Sequence, residues 1–149
     1  MGLSISKEFT GLDFNSSRLE KRFIRTMETL SDQPDKSIWL CSENRAEAKA
    51  IYRMLSNDGL DREEILRVHR EATIRRMAES GTTILAVQDT TSLNYNKQTK
   101  MDGLGYISDK TLGVNIHSCL AVTVEGLVLG LLAQSSYNRV QPHGQYTDA

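Results

Sequence analysis

Charge divides this sequence into two regions, and that division limits the folds open to the chain more than any other feature. Residues 1 to 80 hold 14 Lys or Arg and 14 Asp or Glu, whereas residues 81 to 149 hold only 4 and 5. Charge-dense periodic segments are typical of surface helices, and charge-poor alternating segments are typical of strands. The pattern predicts an α+β chain with a helical domain at 1–80 and a strand domain at 81–149. The formal net charge of −1 does not by itself indicate a nucleic-acid-binding protein.

The two cysteines, Cys41 and Cys119, belong to no short Cys or His spacing. Free thiols in a reducing cytoplasm are therefore favoured over a disulfide framework or a zinc site. The N-terminus lacks an apolar run of signal-peptide length. The longest apolar run, 127–133, has the length of a strand and not of a membrane span. These features predict a cytoplasmic protein.

Three amphipathic helices are expected in the first region, because apolar residues recur there at helical spacing. They are expected from Ser17 for about four turns, from about Glu43 to Ser56, and from Asp61 to Gly81. Ser17 and Glu20 are placed as a capping box, and Ser42 is a candidate N-cap of the second helix. Short connections between the helices predict a compact helical unit.

Three strands are expected in the second region. The first, Thr83 to Val87, is nearly continuous in apolar residues, as is usual for a central strand covered on both faces. The other two form a hairpin, for which Glu125 and Gly126 offer a two-residue turn. The apolar residues expected to share one face of this hairpin are Val114, Ile116, Leu120, Val122 and Val124.

Basic residues recur at helical spacing on the first two predicted helices. The candidate DNA-contacting residues are Arg18, Arg22, Arg25, Lys36, Arg45, Lys49, Tyr52 and Arg53. One interpretation is a solvated face held by ion pairs with Glu20, Glu28 and Glu47. The other is a surface that follows DNA phosphates with salt-dependent affinity, where Arg53 beside Tyr52 reaches a base edge. Charge spacing alone does not decide between the two interpretations.

Asp89 follows the apolar run of the first predicted strand, with only Gln88 between them, at a position where a carboxylate is costly unless donors or a cation meet it. It can cap the next turn, act in an acid/base pair, or bind a hard cation such as Mg²⁺. The other carboxylates of the region are Asp102, Asp109, Glu125 and Asp148, all in predicted loops or turns. Thr90 and Thr91 are placed to orient a phosphate or a water near Asp89, or to form the turn itself.

Six blocks of the sequence, in this order and spacing, resemble the N-terminal part of the DDE transposases of bacterial insertion sequences and composite transposons. They are PDKSI, AEAKAIYRMLSND, HREATIRRM, LAVQDTTSLNY, GLGYI and GVNIHSCLAVTVEGLVLGLL. The similarity runs from about Phe9 to Arg139. It is strongest to the subgroup that has a ribonuclease-H-like core and a DTT motif at its first acid.

The resemblance implies that the helical region binds the DNA of transposon ends, with Tyr52 and Arg53 in the helix that carries the family's YR pair. It implies that Asp89 is catalytic, as the first of three acids that hold two Mg²⁺ ions for cutting and joining phosphodiesters. The strands would then be the first three of a ribonuclease-H-like sheet.

The second Asp and the Glu of that family, and its dimerisation region, have no counterpart in these 149 residues. One carboxylate does not hold two metal ions about 4 Å apart. The sequence therefore predicts a truncated transposase fragment, inactive as an isolated chain, that binds double-stranded DNA at terminal inverted repeats and is nucleoid-associated when bound. Two alternatives remain open: a stand-alone repressor of transposition, and an α+β interaction module that does not bind DNA.

Overall fold

The computed structural model describes residues 4–98, 100–108 and 110–138. The chain divides into two compact units, Met1–Ala72 and Thr73–Ala149. In order, the elements are α1 (Ile5–Glu8), α2 (Ser17–Ser31), α3 (Ile38–Cys41), α4 (Arg45–Leu55), α5 (Arg62–Ser80), β1 (Ile84–Asn94), β2 (Gly105–Ser108), β3 (Thr111–Thr123) and β4 (Val128–Tyr137). The α+β class is confirmed, with helices followed by an antiparallel sheet. The described part of the sheet has four strands instead of the expected three. The functional boundary between residues 80 and 81 stays a prediction.

The core of the first unit forms around three phenylalanine rings. Phe23 of α2 makes edge-to-face contacts with Phe9 and Phe14, with ring centroids 5.0 and 5.7 Å apart. Met54 of α4 and Val68 of α5 complete the buried cluster. Such edge-to-face pairs are stabilising beyond the area that they bury, so the connection before α2 is fixed to the helices by its own aromatic residues.

The N-terminus of α2 differs by one residue from the expected capping box. The N-cap is Ser16 and not Ser17, and its hydroxyl accepts a hydrogen bond from the Leu19 amide at 3.4 Å. The Glu20 carboxylate accepts instead from the Phe14 amide at 3.1 Å. Residue spacing alone does not show which of the two adjacent serines is the N-cap, because either one can serve as an N-cap.

The start of α4 is also later than expected. Asn44 is the N-cap, and its side-chain oxygen accepts from the Glu47 amide at 3.0 Å. Ser42, the expected cap, belongs to the end of α3, where its hydroxyl donates to the Ile38 carbonyl at 2.7 Å. The short helix α3 was not predicted, since a single turn contains too few residues to show a period.

The start of α5 agrees with the prediction. Asp61 accepts from the amides of Glu63 and Glu64, at 2.8 and 3.3 Å. The helix ends at Ser80, before Gly81, which adopts the left-handed φ of +61° that favours glycine.

A charged cluster connects α5 to the segment before α2. The Arg67 guanidinium donates to both carboxylate oxygens of Glu64 at 2.7 Å and to the Gly11 carbonyl at 3.1 Å. Glu64 also accepts from the Asp13 amide at 3.0 Å. The hydrogen bonds from Arg67 are the main reason that the pKa of Glu64 falls to about 2.

In the sheet of the second unit, β3 is the central strand. It pairs with β1 along one side and with β2 and β4 along the other. The expected central strand, Thr83 to Val87, is therefore an edge strand among the described residues, and most of its side chains are exposed. The strand also extends beyond Val87 to Asn94, because the polar residues of β1 pair in register with β3 just as its apolar residues do. Asp89 thus lies mid-strand and not at a strand end.

The hairpin between β3 and β4 is confirmed, with a three-residue loop instead of a two-residue turn. The Gly126 amide donates to the Thr123 carbonyl at 3.0 Å, and the Thr123 amide donates to the Leu127 carbonyl at 2.9 Å. Gly126 has a φ of +90°. A turn followed by a glycine in this conformation is the usual three-residue hairpin.

The face of β3 that is most buried is opposite to the predicted one. Ala121 and Thr123 are buried. In the expected apolar set, Val124 is exposed and the other members, from Val114 to Val122, are half-buried. Gly130 pairs with Ala121 and approaches Thr73 of α5 so closely that a Cβ at Gly130 has no room. The small residues therefore mark where α5 packs on the sheet, because a helix approaches closest where side chains are short.

Candidate nucleic-acid interface

A cleft of about 770 Å³ lies in the first unit between α2 and α4. Its lining residues are Ser16, Ser17, Arg18, Leu19, Lys21, Arg22, Arg25, Ala50, Arg53, Met54 and Asn57. The start of α2 lies beside the end of α4, and Arg25 farther along α2 contacts Glu47 near the start of α4. The two helices are therefore antiparallel, and the cleft runs along both.

The α2 wall of the cleft is strongly basic. Arg18, Lys21, Arg22 and Arg25 follow one another at i, i+3, i+4 and i+7, so they share one side of the helix. Lys21 was not among the predicted DNA-contacting residues, although it lies three residues after Arg18 and four before Arg25. Like charges at this spacing repel, each pair by about 0.2–0.5 kcal/mol. An anion in the cleft would relieve that repulsion.

Arg25 differs from the other cations because it is held by acidic side chains of the protein. Its terminal nitrogen lies 3.2 Å from the Glu47 carboxylate and 4.0 Å from that of Glu43, and its Nε donates to Glu47 at 3.3 Å. The Glu47 side chain is only 8% exposed. For Arg25 the structure thus shows the ion pair with Glu47 that the first interpretation required.

The other cations of the cleft have no such partner. Among the described residues, no carboxylate lies within 4.0 Å of the charged nitrogens of Arg18, Lys21, Arg22 or Arg53. Glu20, an expected partner, is used by a backbone amide. The structure therefore leaves four cations in one cleft without a carboxylate to neutralise them.

The rest of the predicted basic set lies outside the cleft. Arg45, Lys49 and Tyr52 are exposed on α4. Their spacing of i, i+4 and i+7 gives an outward stripe that reaches the cleft at Arg53. Lys36 is exposed in the loop after α2, where its ammonium donates to Gln33 at 2.6 Å. The structure thus joins the two predicted stripes through Arg53 and leaves Lys36 apart from the cleft lining.

Asp89 lies in the second unit, exposed on β1 and paired in register with Ser118. Thr91, two residues on, shares its face of the strand, whereas Thr90 lies on the other face. The Thr90 hydroxyl is 2.8 Å from Nδ1 of His117. Of the two threonines placed near the acid by the sequence, only Thr91 is on its side of the sheet.

The residues that share the face of Asp89 do not fit a two-ion magnesium site. Its nearest positions on β3 and β4 are Ser118 and Gln134, which are joined by a hydrogen bond of 3.3 Å. No group of three His, Cys, Asp or Glu residues in the described ranges could hold a metal ion. Asp109 and Asp148 lie outside those ranges. One carboxylate with neutral neighbours can give Mg²⁺ one ligand, and no step of metal chemistry follows from it.

Comparison with known protein families gives one match for the helical region. Residues 3–60 match the family described as transposase DNA-binding. The matched range contains α1 to α4 and the whole of the basic cleft. It supports the N-terminal region of a transposase and DNA as a partner of this region. Among the described residues, no helix is both long and apolar enough to cross a membrane.

Proposed function

We propose that this chain is the N-terminal part of a DDE transposase and that its helical domain binds double-stranded DNA at the terminal inverted repeats of a transposon. The observation that carries the proposal is the cleft between α2 and α4, where Arg18, Lys21, Arg22 and Arg53 converge and no carboxylate in the described part of the chain pairs with them. The match of residues 3–60 to the transposase DNA-binding family supports it.

The two helices suit different parts of the DNA. From Arg18 to Arg25 the basic side of α2 extends roughly 11 Å, at 1.5 Å per residue. Along one DNA strand a phosphate recurs about every 3.4 Å of helix axis, so this side spans about three phosphates. The exposed stripe of α4, with Lys49, Tyr52 and Arg53, presents long donors and an aromatic ring. Such side chains contact base edges in the major groove. In this arrangement α2 positions the protein and α4 reads sequence.

The second unit, in the same proposal, is the beginning of a ribonuclease-H-like core, and Asp89 is its first catalytic acid. Among the described residues, the face of Asp89 supplies one carboxylate, which is too few for a pair of metal ions. The described residues alone are therefore expected to bind DNA and not to cut or join it. A protein that occupies transposon ends without cutting them would compete with the complete enzyme, which is how the repressor alternative follows from the same geometry.

The test measures DNA affinity of the full chain as a function of salt. Fluorescence anisotropy of a labelled mixed-sequence duplex is recorded between about 50 and 200 mM salt. Each phosphate contact adds about −0.9 to the slope of log affinity against log salt, so the double variant Arg18→Ala, Arg22→Ala should lose about 1.8 of that slope. The matched control removes two cations from the second unit, with Lys97→Ala and Lys100→Ala, and should leave the slope unchanged.

Specific recognition needs a second arm. Duplexes selected from a random pool by the protein should bind more tightly than scrambled versions of equal composition, and Arg53→Ala should reduce that preference. Equal affinity for selected and scrambled duplexes would contradict recognition of a transposon end. Absence of binding even at the lowest salt would refute the proposal and leave the non-DNA interaction module.

A further inference from the structure

Two large apolar side chains stand side by side on the surface of the DNA-binding region. Trp39 is 56% exposed and Leu40 is 65% exposed, and both belong to the single turn of α3. Contiguous exposed apolar side chains can mark an interaction surface. We call this pair the apolar tip.

The apolar tip is held outward by bonds on the inner side of α3. Cys41 is buried, and its thiol donates to the Gln33 carbonyl at 3.4 Å. The Ser42 hydroxyl donates back to the Ile38 carbonyl at 2.7 Å. Because residues 38, 41 and 42 share one side of a helical turn, residues 39 and 40 point to the other side. The tip is therefore a fixed projection.

α3 is the element between the two helices that line the basic cleft, and none of its own residues is among the lining residues. It connects α2 to α4, the two helices that form the cleft, and it lies inside the range 3–60. Glu43 and Glu47, the residues that hold Arg25 at one end of the cleft, follow α3 directly in the chain. DNA that lies along the cleft toward Arg25 therefore approaches the part of the domain from which the tip projects.

We infer that the apolar tip packs against the bases of the bound DNA, an inference that rests on the proposed function. A tryptophan ring and a leucine carry no charge, so phosphates are not their partners. Aromatic rings stack on bases, and apolar side chains insert between base steps and bend the duplex. The tip would add an apolar contact at a deformable step to the phosphate contacts of the cleft.

The charges around the tip support a contact that is independent of salt. Lys36 precedes α3, but Asp32 and Asp35 precede it too and the exposed Glu43 follows it, so acidic residues outnumber basic ones around the tip. A contact of this kind releases few counterions. Its loss should lower affinity without changing the salt slope, which separates it from the contacts of Arg18 and Arg22.

Trp39 is the one tryptophan of the chain, so the tryptophan emission of the wild-type protein reports on the tip alone. The full chain is titrated with an unlabelled selected duplex while tryptophan emission and its quenching by acrylamide are measured. The inference predicts a fall in emission at saturation and a loss of acrylamide access. This readout requires no substitution and is independent of the folding of any variant.

Variants give the second readout, by anisotropy of the labelled duplex. Trp39→Ala should weaken binding roughly 5- to 150-fold at an unchanged salt slope, since stacking on one base contributes about 1–3 kcal/mol. Trp39→Phe should retain most of the affinity because its ring still stacks. Ile74→Ala, which removes another half-exposed apolar side chain outside residues 3–60, should have no effect.

The outcomes separate this inference from the proposed function. If labelled DNA binds with the expected salt slope while Trp39 emission and the Trp39→Ala affinity stay unchanged, the inference is wrong and the proposed function stands. If no DNA binds at low salt, both are wrong. If Trp39 emission shifts to the blue with rising protein concentration in the absence of DNA, the tip is a protein contact and the inference is overturned.

Discussion

Arg25 and Arg18 lie on the same side of α2, yet replacing them with alanine should have opposite consequences. The Glu47 carboxylate is 8% exposed, and without the Arg25 guanidinium its remaining described partner is the Glu43 amide at 2.7 Å. A hydrogen bond between charged groups contributes about 1.5–3 kcal/mol to stability. Arg25 itself is 60% exposed, so solvent screens part of this energy. We expect Arg25→Ala to lower the free energy of unfolding by about 1–2 kcal/mol.

Arg18→Ala should leave stability unchanged or slightly raised. Arg18 has no ion pair within the described residues, it lies in the first turn of α2, and its nearest neighbours on the helix are Lys21 and Arg22. A cation at a helix N-terminus and like charges at i+3 and i+4 are each unfavourable by a few tenths of a kcal/mol. The two substitutions should have the opposite ranking in their effect on DNA binding. Arg18→Ala should reduce the salt slope by about 0.9, and Arg25→Ala should not change the slope.

Both effects are measured on the same proteins. Thermal unfolding followed by circular dichroism should show that Arg25→Ala lowers the melting temperature by about 4–16 °C, at roughly 4–8 °C per kcal/mol for a unit of this size. Anisotropy at temperatures where both variants are folded then gives the salt slopes. The reasoning fails if Arg25→Ala melts like the wild type and reduces the salt slope as Arg18→Ala does, because Arg25 would then contact DNA and not brace the two helices.

Three further predictions follow from single residues. Arg67 holds the pKa of Glu64 near 2, below its ordinary value of 4.5, so Glu64 stabilises the fold above pH 4.5 and this contribution is lost as the pH falls toward 2. Glu64→Gln should therefore lower the urea midpoint of unfolding at pH 7. The difference in urea midpoint between Glu64→Gln and the wild type should vanish between pH 4.5 and pH 2. Gly130→Ala, where a Cβ overlaps α5, should cost about 2–4 kcal/mol of unfolding free energy, against about 1 kcal/mol for Gly126→Ala, where the φ is also positive but the space is open. Millimolar MgCl₂ should leave the urea midpoint of the wild type and of Asp89→Asn equally unchanged, and a shift confined to the wild type would contradict our assignment of a single ligand.

The helices could be predicted from the sequence because their signals are local. Apolar spacing located α2, α4 and α5, and the start of α5 at Asp61 was predicted correctly, since the carboxylate of Asp61 accepts from amides within three residues of it. The starts of α2 and α4 were less certain, because Ser16, Ser17, Ser42 and Asn44 are all good N-caps. Which of them caps depends on where the preceding segment packs, and that is set by tertiary contacts.

The sheet was predicted less well because a strand is defined by its partner. The polar half of β1 has no strand signal of its own, but it pairs with β3 residue for residue. The buried face was misjudged for a related reason. Sequence hydrophobicity selects large apolar residues, whereas α5 packs on the face with Ala121 and Gly130, where short side chains admit a helix.

For the basic cleft, spacing identified the side of each helix but not the role of each charge. Arg18, Arg22 and Arg25 are equivalent by spacing, and what distinguishes Arg25 is Glu47, which lies 22 positions away in sequence. A stripe of cations is thus a set of candidates. Acidic residues on other elements determine which cations form ion pairs within the protein and which are available to bind phosphates.

The position of Asp89 explains why a carboxylate is tolerated in an apolar strand. On an exposed edge strand the group keeps its water, so the desolvation cost that a buried position would impose does not arise. The neighbouring strand meanwhile fixes its place, with Ser118 opposite and Thr91 on the same face. A hydrated carboxylate with neutral neighbours stabilises a divalent ion weakly, because Mg²⁺ gives up its own waters reluctantly. The metal chemistry proposed for Asp89 therefore depends on ligands beyond those that the described residues place on its face of the sheet.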